Sequence, residues 1–538
     1  MASDYKKIFY KDYSDLENQN KKLTQKIKLV TIRAEIAEGR EQRLASENAE
    51  KDKQLEEKNK EIEAYKEKII ELEKKLDIVS YEKDNYLSKL NNDGTNSGLP
   101  TSQTPINKKK RIPNSRVKTG NKIGGQQGHK KNKLQKFNEE EANEHVEYTL
   151  NECPCCGSKD LEIIDSEVAK QELDYKIKLI KRVNHFKEYK CHNCNRVVKK
   201  NIPNHLKEDI QYGSNVQATA LTLLDIGNVP INKVRRIIDG LSMNEINLSE
   251  GFISKLQQRA AGKLDDFIKD LKFYITHLKL IRWDDTTIMI NKKRSCMRFY
   301  GNEDVALYFA HLRKDKEGID DDNILKLVSA LCVIIHDHNK VNYNRDYSFI
   351  NAECCQHLIR DLQKVTDNIP NRTWATKIKE LFQEYNHKRN ELIKQNIDHF
   401  SDEEFNNLLL RLNEYLLLGV DENLADSKVY YADDEQTLLL RIMEYLDNYI
   451  YWALDFDLPF TNNLSERSLR GIKSKMKVSG QFQNIKTAEY YAAIRSYTET
   501  CHRNSVNEYN CLNRLIQGNP YSLEEILEIG NNKAEKSK

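Results

Sequence analysis

The spacing of apolar residues changes character several times along this chain. Leu55, Ile62, Ile69, Leu76 and Leu90 recur in steps of seven, with Lys83 interrupting, and Tyr65, Leu72, Val79 and Tyr86 recur as a second series in between. That is an a/d seam flanked by Glu and Lys, so a coiled coil is expected over residues 14–92, with Lys58 and Lys83 weakening the seam and limiting its register. Parallel homodimerisation, or a higher oligomer, is its expected use. Residues 91–104, rich in Asn, Gly, Ser and Thr, end that helix and begin a linker. Helical periodicity returns over residues 214–226, 231–241 and from Ser249 onward, where Ser249 suits an N-cap and Phe252, Ile253 and Leu256 share one face. Residues 278–290 then form an apolar, β-branched run that reads as a strand. Residues 296–302 and 305–313, with a turn at Gly301 and Asn302, complete a meander. An acidic loop at Asp320–Asp322 and a short helical stretch lead into a continuous apolar run within residues 329–340. From Glu353 to Trp452 the pattern is helical again, over residues 373–397, 402–418 and 434–453, with Lys and Glu on the outer faces.

Acids interrupt this pattern at three places. Asp284 and Asp285 lie inside the first strand, where buried carboxylates are costly unless paired or bound to a metal. Asp337 falls just past the apolar run that follows the crossover, the position at which open α/β sheets present site residues. Glu466 stands among Arg467, Arg470, Lys473, Lys475 and Lys477, after the cap-type residues Asn462, Asn463 and Ser465, which places it in the first turn of a late helix. An exposed helix with an i,i+4 pair between Glu466 and Arg470 is the plainer reading of that last stretch. Strand, strand, strand, helix, strand is the ribonuclease-H-like order. Three acids so placed are suited to two divalent metals, Mg²⁺ or Mn²⁺, for phosphoryl displacement. Arg467 and Arg470 would then hold phosphates, and the roles of Trp283 and Asp285 stay open.

Cysteines and basic residues add two further modules. Cys153-x-x-Cys156 and Cys191-x-x-Cys194 are spaced as a structural Zn²⁺ site over residues 146–205; Cys155 competes with Cys156, which the spacing and Gly157 favour. Cys296, Cys332, Cys354, Cys355, Cys501 and Cys511 show no ligand spacing and are expected as buried apolar residues. Residues 103–135 are basic and free of acid, and include Lys108, Lys109, Lys110, Arg111 and His129, the residues there suited to DNA. Net charge is only +3 over 538 residues, so nucleic-acid affinity has to come from such local patches. No apolar run approaches about 18 residues and the N-terminus has no signal-like apolar core, so a cytoplasmic, DNA-associated bacterial protein is expected, with no membrane partner.

The chain resembles the insertion-sequence-66-type DDE transposases along most of its length. The motif around the third acid matches Asn462, Asn463, Ser465, Glu466, Arg467 and Arg470, with Ser479 and Gly480 after it. Gly124-Gly125-Gln126-Gln127-Gly128-His129 is close to a second signature of that family, with Gln127 in place of proline. Cys354, His357 and Arg360 fit a third. By position, Asp284 takes the catalytic place at the first acid and Asp285 replaces a glutamate; Asp337 is followed by His338 and Asn339 where the family commonly has Gly-Tyr. The resemblance implies catalytic and metal-binding roles for Asp284, Asp337 and Glu466. It further implies recognition of the element's own ends, cleavage to a 3′-OH, joining to target DNA, and accessory element-encoded proteins as partners.

The expected architecture is multidomain α/β. A coiled coil (14–92) and a basic linker (93–145) precede a zinc-binding module (146–205). A helical region (206–275) follows, either a helix-turn-helix or a plain spacer. A ribonuclease-H-like catalytic domain (276–352 and 455–515) is split by a helical insertion (353–454) and followed by a tail (516–538). Two other functions fit the same residues: a DNA-binding regulatory protein with an inert catalytic fold, and a metal-dependent nuclease without strand transfer.

Overall fold

The computed structural model describes Thr24, Lys28 and residues 134–538, apart from 165–167, 204, 205, 207, 370, 426–430 and 538. The coiled coil apart from Thr24 and Lys28, and within the basic linker Lys108, Lys109, Lys110, Arg111 and His129, lie outside the described residues. What is described divides into two compact units, residues 134–202 with 237–247, and residues 203–236 with 248–538.

The smaller unit has a single hairpin, β1 (Glu188–Lys190) antiparallel to β2 (Val197–Lys199). Its cysteines occupy two tight turns. Gly157 carries φ of 72° and donates its N–H to the Cys153 carbonyl at 2.8 Å. The second turn is closed by Asn195 with φ of 53°. Gly and Asn are the residue types that take this left-handed conformation at least cost.

The larger unit begins with helix α1 (Ser214–Leu221), which continues as a π-helical turn over Thr222–Ile226. Helix α2 (Ile231–Leu241) follows, its residues from Ile237 onward counted with the smaller unit, and then α3 (Glu250–Ala261) and α4 (Asp265–Thr276). Ser249 caps α3 as its sequence predicts, its hydroxyl accepting the Phe252 N–H at 3.0 Å, while Ile253 and Leu256 are fully buried.

The meander is present as β3 (Leu280–Ile290), β4 (Lys293–Gly301) and β5 (Ala306–His311), all antiparallel. The acidic run is not a loop. Asp320 and Asp321 end helix α5 (Lys316–Asp321), and Asp322 is 1% exposed, bound to Arg298, Tyr300 and His311. The crossover delivers β6 (Val333–His336) parallel to β3, and β7 (Ile350–Glu353) adds a parallel edge strand that residue pattern does not announce. The sheet order is β5-β4-β3-β6-β7, a mixed sheet of ribonuclease-H-like form.

Helices α6 (Cys355–Asn368), α7 (Trp374–Lys394), α8 (Asp402–Ala425), α9 (Ala432–Glu444) and α10 (Leu446–Leu454) share their own apolar core around Trp374, Phe382, Phe400 and Trp452. Gly419 lets α8 approach closely: a Cβ there would meet Leu439 at 2.6 Å and Trp374 at 2.9 Å. The chain then returns to the sheet as α11 (Asn463–Ser479) and α12 (Ile485–Arg503), followed by α13 (Glu508–Gln517) and α14 (Leu523–Ser537). Leu469 and Ile472 of α11 are buried against Ile288, Ile290, Met297 and Phe299, each side chain contributing about 1.5–3 kcal/mol by burial. On α12, Ser496 and Thr500 accept the N–H groups of Tyr308 and Ala306 at 2.9 and 3.1 Å, satisfying an edge strand that would otherwise be open to pairing.

Candidate active site

Residues level with one another in a parallel ladder stay level as both strands advance at about 3.3 Å per residue. β3 and β6 pair Leu280 with Val333, Ile281 with Ile334 and Arg282 with Ile335. The same register carried forward sets Asp284 level with Asp337. Alternation along the strand puts Asp285 on the opposite face, where it meets Lys314 Nζ at 2.7 Å. Burial raises the pKa of Asp285 while Lys314 works against the rise. Among the described residues no lysine or arginine is bonded to Asp284, and the His357 imidazole works only weakly against the rise. Burial first, then the charges of Asp337 and Asp285, push its carboxyl up to about 7. Its oxygen accepts the Asp285 N–H at 2.7 Å.

Glu466 lies in the first turn of α11. This helix is pinned to β3 at both ends. Asn462 donates through Nδ2 to the Trp283 carbonyl at 2.8 Å. Beyond Gly480, which ends the helix with φ of 76°, Phe482 donates its N–H to the Met289 carbonyl at 2.8 Å. Glu466 faces His357 of α6, Oε1 to Nε2 at 4.0 Å, and not Arg470, which is exposed. Oε1 of Glu466 is buried with no hydrogen-bond partner among the described residues. Burial disfavours charge on His357, but the neighbouring Cys354 sulfur and Asp337 outweigh it and bring its pKa up to about 9. A cationic imidazole thus stands among the carboxylates. Sequence reasoning reached His357 only through the family resemblance carried by Cys354, His357 and Arg360, and did not anticipate Lys314 beside Asp285.

Among the described residues, no three His, Cys, Asp or Glu side chains are close enough to hold one metal ion together, so neither the three acids nor the four cysteines form a closed site. The acids nevertheless suit a divalent cation. They are hard oxygen donors, Asp284 is repelled by its neighbour, and Glu466 keeps a buried oxygen without a partner. The thiols of Cys153 and Cys191 are held below the ordinary range, chiefly by backbone N–H groups of Cys155 and Cys156 for the first and of Cys194 and Asn193 for the second. Low thiol pKa favours metal ligation, and Cys156 and Cys194 are exposed beside them. The six remaining cysteines are buried.

The basic stretch after Glu466 divides by helix face. Arg467, Arg470, Lys473 and Lys477 are exposed. Lys475 is not available to a phosphate, because it falls on the inward stripe with Ser468 and Ile472 and is 6% exposed. Its ammonium donates to the Leu224 carbonyl at 3.2 Å and lies over the Tyr491 ring. Burial lowers its pKa, with Asp225 opposing. The helical three-and-four spacing, read with Leu469 and Ile472 as the buried face, would have separated it from its neighbours.

No helix among the described residues is long and apolar enough to cross a membrane. A comparison with curated proteins found no match. The family model described as "Transposase IS66 family" matches residues 186–490, which is more than half of the chain and takes in all three acids. The chain belongs to the IS66 family of transposases.

Proposed function

We propose that this transposase binds the ends of its mobile element, cleaves DNA there and joins the freed ends to target DNA, using Asp284, Asp337 and Glu466. The observation that supports this reading is the β3–β6 register, which extended past its last pair would bring Asp284 level with Asp337, together with the bond to the same strand from Asn462, four residues before Glu466. These three carboxylates would hold two divalent cations, Mg²⁺ or Mn²⁺. When bound, such ions stabilise charge on the attacking and leaving oxygens of an in-line displacement.

The reaction has two stages. Water attacks phosphorus and the P–O3′ bond breaks, leaving a 3′-hydroxyl and a 5′-phosphate. That hydroxyl then attacks a phosphorus of the target strand and expels the target's own O3′. Arg467, Arg470 and Lys473, exposed beyond Glu466, would bind backbone phosphates and orient the strand. His357, with Nε2 4.0 Å from Glu466 and its charge favoured by Asp337, would balance the negative charge of these carboxylates. The two cysteine turns, Cys153 with Cys156 and Cys191 with Cys194, would together bind a structural Zn²⁺ that folds the smaller unit. Lys108, Lys109, Lys110, Arg111 and His129 would add a second, salt-sensitive DNA contact. The heptad seam would pair two chains across element ends, and α2 with α3 would read those ends or act as a spacer.

Purified protein incubated with supercoiled plasmid carrying the gene and its flanks, in Mg²⁺ or EDTA and beside Glu466→Ala, tests this. Cuts at discrete flanks with joined products, lost in EDTA and in the variant, are expected. Cuts without joined products would leave a nuclease. DNA binding indifferent to Asp284→Ala, with no cleavage, would leave a DNA-binding protein.

A further inference from the structure

Asn462 occupies the N-cap of α11, where an Asn side chain ordinarily accepts an N–H of the first turn. Here it makes no capping bond. The side chain is 2% exposed and committed elsewhere. Nδ2 donates to the Trp283 carbonyl at 2.8 Å, and Oδ1 accepts from the Ser465 hydroxyl at 2.7 Å. The backbone of the same residue is also fully used. Its N–H donates to Cys354 Sγ at 3.2 Å, and its carbonyl accepts the Glu466 N–H at 3.3 Å. Cys354 is fully buried and donates its own N–H to the His336 carbonyl at 2.9 Å.

Each end of this relay lies next to an acid. Trp283 precedes Asp284, His336 precedes Asp337, and Glu466 is bonded to Asn462 directly. The ladder between β3 and β6 stops at Arg282 and Ile335, short of both aspartates, so sheet bonds do not fix the carboxylates against one another. The far end of α11 is held by the bridge of Phe482 to Ile290, at the opposite end of β3 from the acids. At the end that carries Glu466, the buried Asn462 amide gives up capping to reach the strand backbone and ties the helix there.

We propose that Asn462 is the positioning residue that sets Glu466 against Asp284 and Asp337, through the relay Trp283, Asn462, Cys354 and His336. The proposal rests on the reading of those three acids as metal ligands. Asn462, 2% exposed, is not itself one of the proposed ligands. Ser465 orients it from the helix side, and Cys354 extends its reach to the strand of Asp337.

The test is Mn²⁺ binding to the full-length, DNA-free protein, followed by electron paramagnetic resonance, with thermal melting and EDTA-insensitive DNA binding measured in parallel. Asn462→Ala should weaken Mn²⁺ binding about tenfold, with DNA binding in EDTA unchanged. Ser465→Ala, which removes one bond and keeps the amide, should shift Mn²⁺ affinity less and in the same direction. Cys354→Ser, which keeps an acceptor, should bind Mn²⁺ better than Cys354→Ala. A residue that only supported the fold would lower the melting temperature and leave the Mn²⁺ affinity of the folded fraction alone. Unchanged affinity in Asn462→Ala and Ser465→Ala, where Glu466→Gln does weaken it, overturns the proposal. Should Asn462→Ala fail to fold, Ser465→Ala and the Cys354 pair decide it alone. Unchanged affinity in Glu466→Gln itself would instead overturn the ligand assignment beneath it, and the relay with it.

Discussion

Asp284 and Asp322 are acids held against the same sheet, and their surroundings differ in kind. Asp322 is 1% exposed and receives bonds from the Arg298 guanidinium, the Tyr300 hydroxyl at 2.8 Å and His311. Arg298, with no exposure at all, also donates to the Gly318 carbonyl at 2.8 Å. Asp284 receives one backbone N–H and feels the negative charge of Asp337 and Asp285 more than the charge of His357. A buried carboxylate with several donors and a cation holds a fold together. One surrounded by like charge is retained for something the chain alone does not supply.

Exchanging each acid for its amide sharpens that contrast most. Asp284→Asn should abolish Mg²⁺-dependent DNA cleavage, by roughly 1,000-fold or more, with the melting temperature equal to or above the parent's. A variant that cleaved normally would remove Asp284 from the site. Asp322→Asn should do the reverse, costing about 3–5 kcal/mol of stability by stranding the buried Arg298, with any activity loss tracking the unfolded fraction in a denaturant titration.

pH offers a third comparison. Folded Asp284 holds its proton up to about 7, whereas an unfolded aspartate releases it near about 3.9. The folded chain therefore binds this proton more tightly, so the contribution to stability is fully present below about pH 4 and is lost as pH rises through about 7. Asp225, pushed up to about 6 mainly by burial, adds a loss of the same sign over the lower part of that window. Melting curves of Asp284→Asn should be flatter between about pH 6 and 7. A Mg²⁺ ion held by Asp284 as proposed would compete with its proton, so Mg²⁺ should raise the melting temperature more at about pH 8 than at about pH 6. Equal effects at both would contradict the assignment.

The smallest effect separates the faces of α11. Arg470→Ala should weaken binding to DNA severalfold and reduce the slope of log affinity against log salt by about 1. Lys475→Ala should leave that slope unchanged and lower the melting temperature, because it strips Asp225 of a neighbouring cation.

Local pattern made much of this molecule legible. The β-branched run of β3, the turn at Gly301 and Asn302, and the cap at Ser249 each act over a few residues, and each is where the residue types put it. What escaped depends on partners far along the chain. β7 is a strand because β6 offers it a parallel edge, although Asn351 and Glu353 give it little strand character. Asp322 left its expected loop because Arg298 waits on β4. Asn462 reads as a cap until the Trp283 carbonyl, 179 positions away, is known to be its partner. Within the site, spacing and order pointed to Asp284, Asp337 and Glu466, but the face each acid takes was fixed only by register.

The division of the sheet by its helical insertion also has a consequence in time. A ribosome delivers Asp284 and Asp337 well before Glu466, and the five helices α6 to α10 must be synthesised in between. At ordinary elongation rates that interval is on the order of ten seconds. Under the assignment proposed above, a growing chain that already carries both aspartates is chemically silent until α11 emerges and docks along β3. Under the same assignment, any message broken within the insertion would yield a chain that lacks the third acid and cannot cut DNA.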